Sequence, residues 1–243
     1  MNTMTLAKVK AAIAALSKGD FVVVADDEGR ENEGDLIIAA SAATPAKVAF
    51  MVRHTSGLLC VGARAERLTE LSLPLMVPDN TESHQTAFTV SIDYRHGTST
   101  GISAADRSAT IVALGNPNTV PSDFARPGHV FPLRARPGGV LARPGHTEAA
   151  CDLAELAGFA PLGALSEIVN EDGSMARRDE LVTFSARHGL VFITIAELVA
   201  FRRALAAERA PSAQSLVQAK QANPYTDAAR SISRARAIGM QSA

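Results

Sequence analysis

An acidic block between two apolar segments is the feature of this sequence that most restricts its fold. Residues 21–25 (FVVVA) form a short β-branched run that predicts a buried strand, and residues 34–40 (GDLIIAA) predict the next strand. The stretch from 26 to 35 carries six carboxylates, Asp26, Asp27, Glu28, Glu31, Glu33 and Asp35. Because like charges this close repel one another, the block needs cations, and Arg30 supplies one. A divalent metal is the second candidate, and a solvated acidic turn is the alternative.

A second segment has the opposite charge. Residues 124–147 contain no Asp or Glu and hold Arg126, His129, Arg134, Arg136, Arg143 and His146. A predicted helix begins at 145–147 (GHT), so its first backbone N–H groups and the positive end of its dipole can bind an anion. Arg143 can hold a phosphate group through two nitrogens, and the Thr147 hydroxyl adds a donor. An ordinary turn is the alternative interpretation of each Arg-Pro-Gly.

The same region is rich in proline. Between residues 115 and 144 stand Pro117, Pro121, Pro127, Pro132, Pro137 and Pro144. Proline lacks the backbone N–H and restricts φ, so this spacing excludes a long helix or a central strand. We therefore expect turns here, one at each of the three Arg-Pro-Gly sequences.

The rest of the chain mixes helices and strands. Periodicity and capping residues predict helices over 6–16, 45–54, 63–71, 103–114, 147–157, 179–188 and 196–205. Further strands are predicted over 57–61, 88–92, 162–169 and 191–195. This pattern predicts one α/β domain over residues 1–205, an α+β mixed sheet with surrounding helices. Residues 206–243, rich in Ala, Ser, Gln and Arg, are predicted to be a tail, either a frayed helix or disordered.

Composition excludes several classes of protein. The 243 residues carry 24 Lys+Arg against 25 Asp+Glu, which argues against a general nucleic-acid binder. No apolar run reaches the roughly 18 residues of a membrane span, and the N-terminus lacks the apolar stretch of a signal peptide. The two cysteines, Cys60 and Cys151, cannot form a disulfide framework or a four-thiolate zinc site. We therefore expect a cytoplasmic globular protein without nucleic-acid or membrane partners.

Three isolated ionisable residues add to this interpretation. Glu167 lies in an otherwise apolar predicted strand, so it needs a partner, a metal or a position at the rim. His129 and His146 lie in predicted loops, where a histidine is more often structural or exposed than catalytic. Together with the two charged segments, these residues indicate a metal-dependent enzyme acting on a small phosphorylated substrate.

Four segments, in order, resemble the motifs of the 3,4-dihydroxy-2-butanone-4-phosphate synthase family of riboflavin biosynthesis. They are residues 26–35 (DDEGRENEGD), 101–107 (GISAADR), 126–134 (RPGHVFPLR) and 143–149 (RPGHTEA). The resemblance extends from about residue 6 to residue 205. It indicates the monofunctional form, because the residues after Leu205 are too few for the GTP cyclohydrolase II domain that many relatives carry.

The resemblance implies a lyase that converts D-ribulose 5-phosphate to L-3,4-dihydroxy-2-butanone 4-phosphate and formate through metal-stabilised enediolate intermediates. It also implies a homodimer with two divalent ions, Mg²⁺ or Mn²⁺, at each site. By position, it assigns metal ligation to Glu31 and His146, and catalysis to His129 and Glu167. It assigns substrate binding to Arg30, Glu31, Asp35, Thr100, Arg143, Pro144, Gly145, His146, Thr147 and Glu167.

Two other functions fit parts of the pattern. A phosphosugar isomerase or aldolase could share the metal and phosphate sites, but only the synthase removes a carbon from its substrate. A catalytically inactive module kept for dimerisation or binding would be expected to have lost residues such as His129 or Glu167. Both are present in this chain.

Overall fold

In the computed structural model, which describes residues 2–209, seven strands form one mixed sheet. They are β1 (Val22–Ala25), β2 (Gly34–Ala39), β3 (Cys60–Ala63), β4 (Ile92–Tyr94), β5 (Phe124–Arg134), β6 (Leu162–Glu167) and β7 (Val191–Thr194). Their order across the sheet is β4-β5-β3-β6-β2-β1-β7. The pairs β1–β7 and β3–β5 are parallel, and the other neighbouring pairs are antiparallel. The predicted fold class is confirmed.

Seven α-helices accompany the sheet in the described part of the chain. They are α1 (Thr3–Ser17), α2 (Pro45–His54), α3 (Ala65–Glu70), α4 (Ala104–Gly115), α5 (His146–Leu156), α6 (Arg178–His188) and α7 (Ile195–Arg209). The capping signals in the sequence act as expected: Thr44 caps α2, Ser103 caps α4, and Gly189 ends α6 with φ +64°. None of these helices is long and apolar enough to cross a lipid bilayer.

The sheet is covered on both faces. Helix α5 packs across β1, β2, β3 and β6 on one face, with α1 beside it. On the other face, apolar residues of α2 and α4 join those of the central strands in the main core. Every residue of β1, β2 and β3 is buried, as expected for strands covered on both faces.

Two glycines bring α5 close to the sheet. A Cβ at Gly62 would lie 2.7 Å from the carbonyl oxygen of Thr147, and one at Gly163 would lie 2.8 Å from the Cβ of Ala150. Any larger residue would therefore push α5 away from β3 or β6. Because both positions are glycine, the first turn of α5 lies directly on the strands.

The proline-rich segment shows that one prediction is wrong, because β5 is an interior strand that contains Pro127 and Pro132. The bonds from β5 to β3 come from alternate residues, such as the N–H of Phe131, which donates to the Leu59 carbonyl at 3.0 Å. Pro132 faces the other way, toward the segment before β4, and its carbonyl accepts from the N–H of Thr89 at 3.0 Å. Pro127 lies at a bulge in the pairing with β4. Neither proline removes a donor that the pairing of β5 with β3 requires.

The strand predicted over 88–92 is displaced. The regular strand is β4, from Ile92 to Tyr94, whereas Phe88 and Thr89 form isolated bridges with Leu133 and Leu75. Because Pro132 opposite this segment cannot donate an N–H, a continuous ladder does not form.

The end of the domain is only partly described. Residues 2–203 lie in one compact unit. Of the predicted tail at 206–243, residues 206–209 continue α7, and the remainder lies outside the described residues.

Candidate active site

A cavity of about 130 Å³ lies between the loop after β1 and the first turn of α5. Seven residues singled out in the sequence line it: Arg30, Glu31, Asp35, Arg143, His146, Thr147 and Glu167. The acidic block and the basic segment therefore meet in one place. Five further residues complete the lining: Cys60, Thr86, Phe88, Leu133 and Leu165.

The loop after β1 is organised by Asp26. This buried carboxylate accepts hydrogen bonds from the backbone N–H groups of Glu31 at 3.0 Å and Glu33 at 2.9 Å. It also accepts from Nη1 of Arg30 at 2.9 Å. Its oxygens are thus occupied by the loop itself, which directs the side chains of Arg30 and Glu31 into the cavity.

The charge of Glu31 is stabilised by two neighbours. Its Oε2 lies 2.7 Å from Nη1 of Arg30 and 3.3 Å from Nδ1 of His146. Burial raises the pKa of Glu31, but the hydrogen bond from His146 and the charge of Arg30 outweigh burial and lower it to about 2. Glu31 is therefore a carboxylate at any physiological pH.

His146, the first residue of α5, is held through one ring nitrogen. Its Nε2 lies 3.1 Å from the carbonyl oxygen of Val24, which can only accept, so Nε2 carries a proton. Nδ1 consequently faces Glu31 and Asp35. Burial lowers the pKa of His146, but Asp35, Glu31 and Asp26 together raise it to about 9. Metal-binding histidines commonly donate one ring N–H to a backbone carbonyl in this way and bind the metal through the other nitrogen. Here a metal at Nδ1 would replace a proton.

Asp35 has an unsatisfied oxygen. It lies on β2, in register with Glu167 on β6, and its Oδ1 accepts no hydrogen bond from the described residues. Burial raises the pKa of Asp35 to about 7, against a usual value of 3.8. A buried carboxylate oxygen without a partner is costly unless a cation or a ligand hydroxyl reaches it.

The donors on this side of the cavity fit a divalent metal. Ligand atoms of Asp26, Glu31 and His146 all lie within 4.8 Å of one another. The oxygens of Asp26 already accept hydrogen bonds from the loop, so Glu31 and His146 are the available pair of ligands. The unpaired oxygen of Asp35 lies beside them. Carboxylate oxygens suit Mg²⁺ and Mn²⁺, and an imidazole nitrogen suits Mn²⁺ at least as well.

Arg143 supplies a fixed guanidinium to the lining of the cavity. The guanidinium of Arg143 donates to Oε2 of the buried Glu148 at 2.8 Å and to the His84 carbonyl at 3.1 Å. A Cβ at Gly145 would overlap Nη1 of Arg143, so only glycine permits this position. Gly145 is the N-cap of α5 and no side chain caps the helix. Arg143, Thr147 and the uncapped start of α5 thus belong to the same cavity, a combination that can bind an anion.

Glu167 ends β6 at the rim of the cavity. Its Oε2 accepts a hydrogen bond from the Ser56 hydroxyl at 2.7 Å, and its carbonyl accepts from the Ser56 N–H, also at 2.7 Å. Ser56, two residues after the end of α2, thus fixes the carboxylate in place.

Four of the sequence-predicted residues do not line the cavity. His129 lies at the β4–β5 bulge, where Nδ1 is 2.7 Å from Oδ2 of Asp93, and its side chain is 43% exposed. Thr100 lies exposed in the loop before α4. Pro144 and Gly145 form the connection between Arg143 and His146.

Several residues that shape the site were missed by sequence reasoning. Glu148 lies inside the 143–149 motif, and an acidic residue next to a basic segment was a usable signal. The sequence contains no such signal for Ser56, Thr86 or Asp93, because each contacts its partner across segments that are remote in the chain.

The chain is similar to known proteins of one family. The family model of 3,4-dihydroxy-2-butanone 4-phosphate synthase matches residues 10–201. A synthase of that description from Agrobacterium fabrum is 57% identical over 198 residues, which cover 82% of this chain and 93% of that protein. Riboflavin biosynthesis protein RibBA of Salinispora arenicola is 57% identical over 199 residues, 82% of this chain but 47% of that protein.

Solved structures are similar as well. A crystal structure of 3,4-dihydroxy-2-butanone 4-phosphate synthase in complex with two magnesium ions superposes with a TM-score of 0.77 at 49% identity. The superposition covers 79% of this chain and 95% of that one. By sequence and by fold, this chain belongs to the 3,4-dihydroxy-2-butanone 4-phosphate synthase family.

Proposed function

We propose that the protein is a lyase that converts D-ribulose 5-phosphate to L-3,4-dihydroxy-2-butanone 4-phosphate and formate. The observation that carries this proposal is the pairing of two sites in one cavity. An unsatisfied carboxylate beside Glu31 and His146 suits a divalent cation, and Arg143 at the start of α5 suits a phosphate. A small phosphosugar can span both.

The phosphate end fixes the substrate. Arg143 is already oriented by Glu148, so little side-chain freedom is lost when it binds a phosphate oxygen. The Thr147 hydroxyl and the N–H groups of α5 add neutral donors. Holding the phosphate places the sugar carbons toward Asp35 and Glu167 on the sheet.

Glu31 and His146 would hold the metal, and Arg30 and Asp35 would contact the sugar. When bound, Mg²⁺ or Mn²⁺, two ions per site, would supply positive charge that stabilises negative charge developing on the substrate. Asp35 can accept a hydrogen bond from a sugar hydroxyl through its free Oδ1. Removal of a proton next to the ketone requires an acceptor within hydrogen-bond reach, and Glu167 at the rim is suited to this task.

His129 is the second proton-transfer group. Neither His129 nor Thr100 lines the cavity of its own chain. We therefore propose a homodimer in which these residues reach the cavity of a second copy. We also propose that this homodimer is cytoplasmic. The exposed side chains of both residues are available for such an approach.

The test is a product assay. Purified protein is mixed with D-ribulose 5-phosphate and Mg²⁺ or Mn²⁺, formate is measured with a coupled dehydrogenase, and the organic product is identified by ¹³C NMR. We expect formate and a four-carbon phosphate in equal amounts. Glu167→Gln protein from the same purification controls for contaminating activity. Consumption of substrate without formate would instead indicate an isomerase or aldolase.

A further inference from the structure

The carboxylate of Glu167 depends on one neighbour for its position. Among the described residues, only Ser56 donates to it, from the hydroxyl to Oε2 at 2.7 Å. The N–H of Ser56 also donates to the Glu167 carbonyl at 2.7 Å. The backbone and the side chain of Glu167 are thus both bonded to a single residue, so a displacement of Ser56 would move the carboxylate.

Ser56 lies in a short turn, residues 55–58, that follows α2. Ser56 itself is exposed, and Leu58 is 38% exposed. Gly57 has φ +77°, which a residue with a side chain would adopt only with strain. The Leu58 N–H donates to the Ser56 hydroxyl oxygen at 3.3 Å, which leaves the hydroxyl proton for Glu167. Because two of its residues are exposed, the turn needs polar contacts with its neighbours to fix its position.

Two helices supply these contacts. The N–H and the hydroxyl of Thr55 both donate to the Met51 carbonyl in α2, at 2.9 and 2.7 Å. From α4, Nη1 of Arg107 donates to the Gly57 carbonyl at 3.0 Å. Thr55 only continues the hydrogen bonding of α2, whereas Arg107 is 50 residues away from Gly57 in the chain. Arg107 therefore attaches the turn to a separate part of the core.

The position of Arg107 is unfavourable for stability. The residue is 7% exposed, and burial lowers its pKa, an effect that the charge of Asp93 opposes. Arg107 forms no ion pair with a described residue, and its buried Nε has no hydrogen-bond partner among them. A buried cation without a paired carboxylate destabilises a fold. The contact with the 55–58 turn is therefore expected to have a purpose other than stability.

Arg107 also belongs to a motif that the proposed reaction leaves unused. No residue of the segment 101–107 (GISAADR) lines the cavity. Asp106 accepts hydrogen bonds from the N–H groups of Ser99 and Gly101 and so holds the loop before α4. The next residue, Arg107, holds the 55–58 turn. Two adjacent charged residues at the start of α4 thus position two different loops.

We propose that Arg107 is a positioning residue for Glu167, because it fixes the 55–58 turn whose Ser56 hydroxyl holds the carboxylate. This inference rests on the proposed role of Glu167 in proton transfer. Arg107 does not line the cavity, so its effect passes through Ser56. A hydrogen bond from a charged donor is stronger than one between neutral groups, which suits a contact that must hold an exposed turn.

Arg67 on α3 provides a matched control. Its side chain is 13% exposed, and its guanidinium donates to the carbonyls of Leu114 at 3.0 Å and Asn116 at 2.6 Å. None of these residues lines the cavity. Arg67→Met therefore removes a similar contact between an arginine and the backbone, at a place with no proposed part in the reaction.

The kinetic test uses Arg107→Met, which keeps an apolar side chain of similar length but removes the donor. We expect kcat for formate release to fall by about 10- to 100-fold, with KM for ribulose 5-phosphate within about twofold of wild type. Arg107→Lys keeps a charged donor and should recover part of kcat, and Arg67→Met should leave kcat and KM unchanged. In a Ser56→Ala background, Arg107→Met should cause no further loss. An equal loss in both backgrounds, a rise in KM alone, or the same loss in Arg67→Met overturns the proposal.

A second test needs no turnover. Amide hydrogen exchange, measured by NMR, reports on the Ser56 N–H that bonds to Glu167. In Arg107→Met this amide should exchange at least about 10-fold faster than in the wild type, whereas the Thr55 amide, bonded to α2, should not change. Equal exchange of the Ser56 amide in the two proteins overturns the proposal. Faster exchange in the variant of a protein that releases no formate supports the contact and refutes the proposed function instead.

Discussion

Oδ1 of Asp35, on β2, lies 3.9 Å from Nδ1 of His146, on α5, and accepts no hydrogen bond from the described residues. Both side chains are buried, and both have a raised pKa. The free oxygen of Asp35 is therefore poorly satisfied without a ligand, which is typical of a preorganised site that gives up stability for function.

Replacement of Asp35 should separate stability from activity. Asp35→Asn removes a buried charge without changing the shape of the side chain, so the free energy of unfolding of the metal-free protein should stay the same or rise by about 1–2 kcal/mol. Formate release should fall at least about 100-fold because a substrate contact is lost. Urea unfolding and the formate assay measure the two effects. A less stable variant that keeps full activity would contradict this prediction; exposed Asp27→Asn is the control.

The stability of the metal-free protein should fall as the pH rises. His146 has a pKa of about 9 in the folded protein against a usual 6.5, so its contribution is complete below pH 6.5 and is lost as the pH rises through 9. The pKa of Asp35 is raised from 3.8 to about 7, so the stabilising contribution of this residue is also lost as the pH rises, but over a lower pH range. Thermal melts in EDTA between pH 6 and 9 measure the slope. The slope should be smaller in His146→Gln, and a wild type that becomes more stable toward pH 9 would disprove the interpretation.

Glu31→Ala should weaken metal binding. The variant removes a carboxylate whose Oε2 is 3.3 Å from Nδ1 of His146 and whose pKa is held at about 2, so a permanently charged ligand is lost. Calorimetric titration with Mn²⁺ should show affinity lower by about 10-fold or more. Glu28→Ala, an exposed carboxylate of the same loop, should bind as the wild type does. Equal affinities of the two variants would remove Glu31 from the ligand set.

Glu148→Gln should affect substrate binding more than turnover. Glu148 orients Arg143 at 2.8 Å and also accepts from the N–H of Arg136 at 2.9 Å. With a neutral partner, Arg143 loses its fixed position, so KM for ribulose 5-phosphate should rise about 10-fold while kcat changes less. Glu155→Gln, on the same helix in a surface pair with Arg64, should have little effect. A fall in kcat at constant KM would argue against this role.

Local features of the structure were predictable because they depend on neighbouring residues. Thr44 before Pro45 and Ser103 at the start of α4 mark helix starts through their own hydrogen bonds. The acidic and basic segments were also recognisable, since their composition is far from average. The meeting of Glu31 with His146 was expected from the family resemblance and agrees with the geometry.

Other features depend on strand register, which sequence patterns do not contain. Asp35 and Glu167 are neighbours only because β2 and β6 pair in that register. Ser56 reaches Glu167, and Asp93 reaches His129, across segments far apart in the chain. The interior position of β5 was predicted wrongly because a proline is excluded only where the strand pairing needs its N–H. The strand register decides which residues must donate to each neighbouring strand.

The glycines beneath α5 have a consequence for how this pocket can change. Gly62 and Gly163 set the height of α5 above the sheet. In the proposed binding mode, the helix carries Thr147 at the phosphate end, and the sheet carries Asp35 and Glu167 at the sugar end. In that binding mode, the distance between these two layers would determine the length of substrate that fits. Adapting the pocket to a longer or shorter sugar phosphate would require a different spacing of whole layers, which loop substitutions alone cannot supply.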